Sequence, residues 1–123
     1  MNSKTFTIFT ILFVLFATSI RAYKYIRVTS PGKGPWKKNS GQVVSWDCLD
    51  CSPDEDVVVR IIQIKRFPYL EVFRKDAKNA RSGQLNFIIG KDWDEKKQYF
   101  AEVALKNDPD HHSGDSVKFG IEN

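Results

Sequence analysis

The stretch Gln98-Tyr99-Phe100-Ala101-Glu102-Val103-Ala104-Leu105-Lys106 alternates between two sets of side chains with a period of two residues. One of the two sets is apolar and comprises Tyr99, Ala101, Val103 and Leu105. Because successive side chains of a strand point to opposite faces, this period predicts a strand over residues 98–106 that turns its apolar set toward a core.

Five further segments share this period or are short apolar runs rich in β-branched and aromatic residues. They are residues 24–28, 42–46, 57–65, 83–89 and 117–121. The run at 57–65 is the longest, and its two faces are both largely apolar, which is typical of a central strand covered on both sides. Prolines lie between the runs, where a missing N–H does not interrupt a sheet ladder. The pattern predicts an all-β, immunoglobulin-like antiparallel β-sandwich of about seven strands.

Residues 69–80 fit two local structures. Leu70, Phe73, Ala77 and Ala80 recur at helical spacing, whereas Tyr69 to Phe73 also fits a seventh strand. We prefer a strand to about Phe73, followed by a long connection that ends at Ser82-Gly83.

Residues 1–22 have the features of a secretory signal peptide: a short basic start, an uncharged middle and small residues before a polar stretch. The uncharged part would span about 24 Å as a helix, which is short for a hydrocarbon core of roughly 30 Å. Cleavage after Ser19 or after Ala22 fits the sequence, and we prefer Ala22. The expected domains are therefore a signal peptide at 1–22 and a sandwich at 23–123, with an uncleaved signal anchor as the alternative.

Composition and charge exclude several classes of protein. With 41% hydrophobic and 28% charged residues, the chain is neither disordered nor fibrous nor a polytopic membrane protein. The net charge of the whole chain is +4, and it falls to +2 once Lys4 and Arg21 leave with the signal peptide. The remaining basic residues alternate with acidic ones and form no basic stripe, so we expect no nucleic-acid partner.

Cys48-Leu49-Asp50-Cys51 follows the predicted strand at 42–46. Two cysteines in a secreted chain predict a disulfide, and closing so small a loop contributes only about 2 kcal/mol by loop entropy. A redox site would need a thiol of lowered pKa, which the neighbouring Asp47 and Asp50 oppose. A reduced pair is the remaining alternative.

The sequence carries no catalytic signature. It has no Gly-x-Ser-x-Gly elbow, no His-Glu-x-x-His motif and no glycine-rich phosphate loop. Adjacent His111 and His112 do not have the spacing of zinc ligands. We therefore expect no catalytic residue, no metal site and no cofactor, and do not expect an enzyme.

Three tryptophans remain as candidate ligand contacts. Trp46 is in phase with core positions and is predicted to be buried, whereas Trp36 and Trp93 lie in polar, turn-rich surroundings. An indole offers an apolar face to a sugar ring and an N–H for hydrogen bonding, so Trp36 and Trp93 are our candidate ligand contacts. The alternative is that each ring covers an end of the sandwich.

The order of these features resembles the amino-terminal domain of the fungal cell-wall synthesis (Kre/Knh) family, which Ser/Thr-rich GPI-anchored membrane proteins share. The matching segments are Ile26-Arg27-Val28-Thr29-Ser30-Pro31, Trp36 with Gly41 and Val44-Ser45-Trp46, Gly83 to Phe87, Tyr99, and Ser113 to Ile121. The resemblance covers roughly residues 23–122. It implies an immunoglobulin-like sandwich, secretion from a fungus and association with β-glucan assembly in the cell wall.

The sequence departs from that family in its Cys-x-x-Cys motif and in lacking a Ser/Thr-rich stalk before it stops at Asn123. We therefore expect a free secreted module, located extracellularly or in the cell wall. The leading hypothesis is a non-catalytic module that binds β-glucan or another wall polysaccharide. The alternative is an effector-like module that binds an extracellular protein and no carbohydrate. Neither hypothesis involves stable membrane insertion after signal cleavage.

Overall fold

The computed structural model describes residues 25–110 and 112–123, so the expected signal peptide at 1–22 lies outside the described residues. The described residues form nine strands and no helix, which confirms the all-β class. The strands are β1 (Arg27–Ser30), β2 (Trp36–Lys37), β3 (Gly41–Asp47), β4 (Asp56–Ile64), β5 (Leu70–Lys78), β6 (Ser82–Ile88), β7 (Gln98–Leu105), β8 (Ser113–Asp115) and β9 (Ile121–Glu122). Over the same ranges, no helical segment could span a bilayer.

Two antiparallel sheets form the body of the protein. The strand order is β1-β3-β6 in one sheet and β5-β4-β7-β8 in the other, and β2 pairs with β9 in a short parallel ladder. This arrangement is consistent with the predicted β-sandwich. The immunoglobulin-like topology within that class stays a prediction.

The core consists of the inward-facing side chains of both sheets. Its buried members are Ile26, Val44, Trp46, Cys48, Cys51, Val57, Val59, Ile61, Ala80, Phe87, Ile89, Tyr99, Ala101, Val103, Leu105, Phe119 and Ile121. All four apolar residues of the alternating β7 set are among them, as predicted. Strand β4 lies between β5 and β7, and Val58 and Ile62 on its outward face are also buried, as expected for a central strand.

A chain of aromatic rings runs through this core. Trp93 stacks on Tyr99 with 5.4 Å between ring centroids, and Tyr99 stacks in turn on Phe119 at 5.9 Å. Phe87 extends the chain from Trp93 at 6.4 Å, and Phe73 follows at 5.8 Å. The rings thus connect both sheets with the segment that precedes β7.

Strand β5 is longer than predicted, and the segment contains no helix. It pairs with β4 from Leu70 to Lys78. The prediction of a long connection after Phe73 is therefore wrong. Only residues 79–81 join β5 to β6. The register shifts opposite Ile61 and Ile62, which leaves Val72 without a direct partner. This irregularity interrupts the two-residue period, and the interruption is why the sequence also fitted a helix.

The chain after β7 also differs from the prediction. Residues 113–115, which lie outside the predicted strands, form β8 against β7. Residues 117–121 do not form one strand, because Phe119 makes a single bridge to Tyr99 and Ile121 pairs with Trp36 in β2. Val117 is exposed rather than in phase with the core.

The connections between strands gather at two ends of the sandwich. Hydrogen bonds from the Asn39 amide to the Ile89 carbonyl (2.8 Å) and from the Gly120 amide to the Lys33 carbonyl (3.0 Å) join connections at one end. The hairpin after β4 lies at this end too, since Ile64 pairs with Gln98. We call residues 31–40, 65–69, 89–97 and 117–123 the tryptophan end.

The opposite end holds the cysteines. The Cys48 amide donates to the Arg81 carbonyl (2.7 Å), and the Ala80 amide donates to the Glu55 carbonyl (2.9 Å). The Lys106 amide reaches the Asp56 carbonyl at 3.0 Å. We call residues 48–55, 79–81 and 106–112 the disulfide end, without His111, which lies outside the described residues.

Candidate functional site

The two ends of the sandwich carry opposite charge. Nine basic residues lie at the tryptophan end: Lys33, Lys37, Lys38, Lys65, Arg66, Lys91, Lys96, Lys97 and Lys118. The acidic residues there are Asp92, Asp94, Glu95 and Glu122. At the disulfide end the acids are Asp50, Asp54, Glu55, Asp108 and Asp110, against Arg81 and Lys106. The net charge of +4 therefore conceals a basic end and an acidic end.

Trp36 lies at the tryptophan end in β2, where pairing with β9 fixes its backbone. Its ring is half-buried and packs against the core. Its indole N–H donates to the Gly32 carbonyl at 2.9 Å. The backbone of Gly34, which has a φ of +73°, passes so close to Trp36 that a side chain there would meet it. The indole N–H is thus engaged within its own loop.

Trp93 lies in the neighbouring connection, before β7. Its ring is half-buried between the aromatic core and solvent, and it stacks on Phe87 and Tyr99 at interplanar angles of 18° and 24°. The ring also covers Gly90, where an added Cβ would overlap the indole. Trp93 therefore serves as part of the core as well as part of the surface.

Tyr99 in β7 holds the connection that contains Trp93 through its hydroxyl group. Its hydroxyl donates to the Asp94 carbonyl at 2.9 Å and accepts from the Gln63 amide at 3.0 Å. Desolvation is the first cause that raises the pKa of the Tyr99 hydroxyl. The neutral hydroxyl makes two hydrogen bonds, and these hold the loop that carries Trp93 in place.

The structure brings the two tryptophan-bearing connections together. Beside the Asn39–Ile89 backbone bond, the Lys38 ammonium donates to the Glu95 carboxylate at 2.7 Å. This hydrogen bond is the first cause that lowers the pKa of the Glu95 carboxyl. Both rings nevertheless pack on the core, which is the placement described by the alternative in which they cover an end of the sandwich. Contact between Trp36 or Trp93 and a ligand stays a prediction.

A second aromatic feature, which was not predicted from the sequence, lies at the same end. Lys65-Arg66-Phe67-Pro68-Tyr69 forms the turn between β4 and β5, and we call it the aromatic hairpin. The Phe67 side chain is 87% exposed and Tyr69 is 49% exposed. The signal in the sequence was an aromatic pair beside two cations in a short turn, a combination that the core pattern does not require.

The two cysteines form a buried disulfide in the turn after β3. The Cys48 and Cys51 sulfurs lie 2.03 Å apart, in agreement with the expected disulfide, and both residues are buried. Leu49 between them is 86% exposed. Nearby, Arg27 pairs with Asp47 at 2.7 Å across β1 and β3. The arrangement closes the turn after β3 and packs its sulfurs into the core.

A hollow of about 460 Å³ lies on the outer face of the larger sheet. Arg60 pairs with Glu102 on β7, and Lys106 pairs with Asp76 at 2.8 Å. Asp115 lies opposite Glu102 in the β7–β8 ladder. Desolvation, followed by the charge of Glu102, raises the pKa of the Asp115 carboxyl, and Arg60 opposes this shift. Since most of its cations face an acid, this hollow presents little unbalanced charge to a ligand.

Metal-ligating side chains do not converge in the part of the chain that the structure describes, where no three His, Cys, Asp or Glu residues form a candidate group. The His112 ring lies 3.5 Å from the Asp108 carboxylate. His111 is outside the described residues.

The tryptophan end is therefore the candidate functional site, because it combines unbalanced positive charge with half-exposed and exposed aromatic rings. The resemblance to the Kre/Knh domain rests on the sequence motifs quoted above. Comparison of the chain with protein-family models and with curated proteins gives no match.

Proposed function

We propose that this chain is a secreted, non-catalytic module that binds a component of the fungal cell wall, with β-glucan as the first candidate. The observation that supports this proposal is the meeting of the Trp36 and Trp93 connections at one end of the sandwich, joined by the Lys38–Glu95 hydrogen bond. The proposal requires a sugar chain that crosses this end to contact the exposed part of both half-buried rings.

The chemistry of such a contact depends on which groups of the Trp36 ring remain available to a ligand. The Trp36 indole N–H is engaged with Gly32, so its contribution to a sugar is the apolar edge and face. Hydroxyl groups of the sugar would take hydrogen bonds from the surrounding ammonium groups, of which Lys37 is exposed beside Trp36.

The test is retention on insoluble β-glucan, with chitin in parallel, of residues 23–123 as wild type, Trp36→Phe and Trp93→Phe. Phenylalanine keeps an aromatic ring at each position, and circular dichroism of each variant checks that a loss of binding is not a result of unfolding. We expect retention of the wild type and about tenfold weaker binding of each variant. Undiminished retention of both variants would remove the proposed contacts, and no retention of the wild type would remove polysaccharide binding.

Trp46→Phe is the matched control. The Trp46 indole N–H donates to the Asn79 carbonyl at 3.0 Å, so this variant loses an internal hydrogen bond as Trp36→Phe does. Trp46 is buried in the core. We expect Trp46→Phe to bind like the wild type.

A second candidate is a protein-interaction module of the effector type. It is favoured by the internal engagement of the Trp36 N–H and by the exposure of Phe67. This candidate predicts binding to intact cell surfaces that is abolished by treating the cells with protease and preserved after treatment with glucanase. The opposite pattern of sensitivity would exclude it.

A further inference from the structure

We propose that the aromatic hairpin, residues 65–69, docks on the surface of an anionic lipid bilayer. This inference goes beyond the proposed function, since it concerns other residues of the tryptophan end and another ligand. It starts from Phe67, whose ring is 87% exposed at the tip of a five-residue turn. A phenyl group held in water at a hairpin tip gains free energy when it enters an apolar phase.

The ring is held outward by a graded series of aromatic contacts. Phe100 is half-buried on β7, and Tyr69 meets it edge-on with 6.2 Å between centroids. Phe67 then meets Tyr69 at 5.4 Å. Exposure rises outward along this series, reaching 49% at Tyr69 and 87% at Phe67. The hairpin therefore presents its apolar tip on a supported base, with the amphipathic tyrosine ring one step behind it, as at membrane interfaces.

The orientation of the rings disfavours a flat polysaccharide at this site. The interplanar angles are 55° between Phe67 and Tyr69 and 79° between Tyr69 and Phe100. Rings so inclined form a wedge rather than a coplanar platform. A wedge suits a fluid phase that rearranges around it, and a lipid interface is such a phase.

The charge around the hairpin selects an anionic surface. Lys65 and Arg66 are exposed, and neither forms an ion pair with any residue that the structure describes. The nearest acid along the chain, Glu71, faces Arg74 at 3.6 Å. The other lysines of the tryptophan end lie on the same side of the molecule, while the disulfide end is acidic. An anionic bilayer would therefore attract the hairpin end and repel the opposite end.

The dimensions fit attachment at the surface rather than insertion across the bilayer. A turn of five residues extends beyond its strands by roughly two residues on each side, or about 7 Å at ~3.3 Å per residue. Interfacial elements bury their apolar groups about 5–10 Å deep, at the boundary of headgroups and acyl chains. This mode of binding is compatible with the expectation of no stable membrane insertion.

The test is cosedimentation of residues 23–123 with vesicles of phosphatidylcholine, alone or mixed with phosphatidylserine. The range is chosen because every residue of the described core lies within it, and because it leaves out the apolar segment at 1–22. We expect binding to the mixed vesicles at least about tenfold stronger than to phosphatidylcholine alone, and weaker at high salt.

Phe67→Ala should reduce binding to the mixed vesicles by about tenfold or more, and Lys65→Gln combined with Arg66→Gln should do the same. Leu49→Ala is the matched control, because Leu49 is 86% exposed but lies at the acidic end. It should bind like the wild type. All these side chains are exposed, so the variants should keep the circular dichroism of the wild type.

The proposal fails if the wild type binds to neither kind of vesicle, or if Phe67→Ala binds as tightly as the wild type. Self-association that Phe67→Ala abolishes, without vesicle binding, would assign the hairpin to a second copy of the chain. Phe67-dependent binding to a cell-surface protein alone would assign it to a protein partner. The vesicles contain no polysaccharide, so failure here leaves the β-glucan experiment unaffected.

Discussion

Gly114, at the centre of β8, lies where the backbones of two segments come together. A Cβ at this position would overlap the carbonyl oxygen of Ile26, the residue before β1. Because a backbone group cannot rotate away as a side chain does, both segments would have to separate. The close approach of Gly114 to Ile26 therefore brings the two sheets together along one side of the sandwich.

Gly114→Ala should accordingly destabilise the protein by about 2–4 kcal/mol, since the added methyl group forces backbone movement in a packed region. The measurement is urea denaturation followed by tryptophan fluorescence.

Gly41→Ala provides the comparison, because a Cβ at Gly41 in β3 would have no atom within 4 Å beyond those of the adjoining residues. We expect its free energy of unfolding to change by less than about 0.5 kcal/mol. Equal stability of the two variants would mean that β8 and Ile26 do not meet as described.

At the scale of single residues, the sequence could predict burial but not hydrogen bonding. Period two correctly assigned Tyr99 and Trp46 to the core, because burial depends on a repeating local pattern. The bonds from the Tyr99 hydroxyl to Asp94 and from Trp46 to Asn79 join segments whose proximity only the topology determines. The stacking of Trp93 on Tyr99 escaped the sequence analysis for the same reason.

Among the elements, the β7–β8 ladder places two carboxylates side by side. Asp115 and Glu102 are direct partners, and desolvation together with this neighbour raises the pKa of Asp115 in the folded state. A carboxyl whose pKa is raised by folding binds its proton more readily in the native state. Its stabilising contribution is therefore complete below the pKa of the unfolded state and disappears as the pH rises through the pKa of the folded state.

Asp115→Asn removes this unfavourable ionisation, so we expect it to stabilise the protein at pH 7. The side chain is partly exposed to solvent, which limits the gain to about 0.5 kcal/mol. At about pH 3, below the ordinary pKa of an aspartate, the variant and the wild type should have the same stability. Thermal unfolding at the two pH values measures the difference.

Asp110→Asn is a suitable control, since it removes the same charge from an exposed position outside the strands and has no place in the ladder. A gain in stability at pH 7 that both variants share would point to the net charge of the molecule rather than to the ladder. A loss of stability in Asp115→Asn at pH 7 would contradict the interpretation of the ladder.

The sequence predicted the elements with regular alternation and failed at those with irregular pairing. Strand β7 was assigned correctly because its period is uninterrupted, and β4 because both of its faces are apolar. In β5, the register shift at Val72 breaks the period, and charged residues occupy most outward positions. Strand β8 has three polar or small residues, and only its pairing with β7 makes it a strand.

At the scale of the whole molecule, the edge strands β5 and β6 of the two sheets differ in charge. Strand β5 carries charges along its edge, including Glu71, Lys75 and Lys78, which discourage pairing with another chain. Strand β6 pairs only with β3 among the described strands and contains no charged residue. Such an uncharged edge is a template for intermolecular strand pairing.

Asn86→Lys, which places a cation on this edge, should slow aggregation during heating several-fold while changing the free energy of unfolding by less than about 0.5 kcal/mol. Asn86 is exposed on β6, so a lysine would be solvated. Light scattering at constant protein concentration measures the rate.

Asn107→Lys adds the same charge in the exposed turn after β7, away from any sheet edge. If both variants slow aggregation equally, net charge and not the β6 edge is responsible.

Fold class could be predicted from the sequence, whereas the charge distribution of the whole molecule could not. Single connections are visibly basic, as at residues 33–38, or acidic, as at residues 47–56, but the sequence does not show which of them lie together in the fold. The strand order then gathers the basic connections at one end and the acidic ones at the other. The candidate site is a result of this arrangement, which explains why the sequence suggested Trp36 and Trp93 but not the surface to which they belong.

The separation of charge between the ends has a practical consequence for immobilised protein. A cation-exchange resin would capture the molecule by its lysine-rich pole and hide the aromatic rings against the matrix. An anion-exchange support would grip the aspartate-rich pole and leave those rings facing the liquid. Ligand screening on beads would therefore give contrasting answers with the two kinds of support, even though the adsorbed polypeptide is identical.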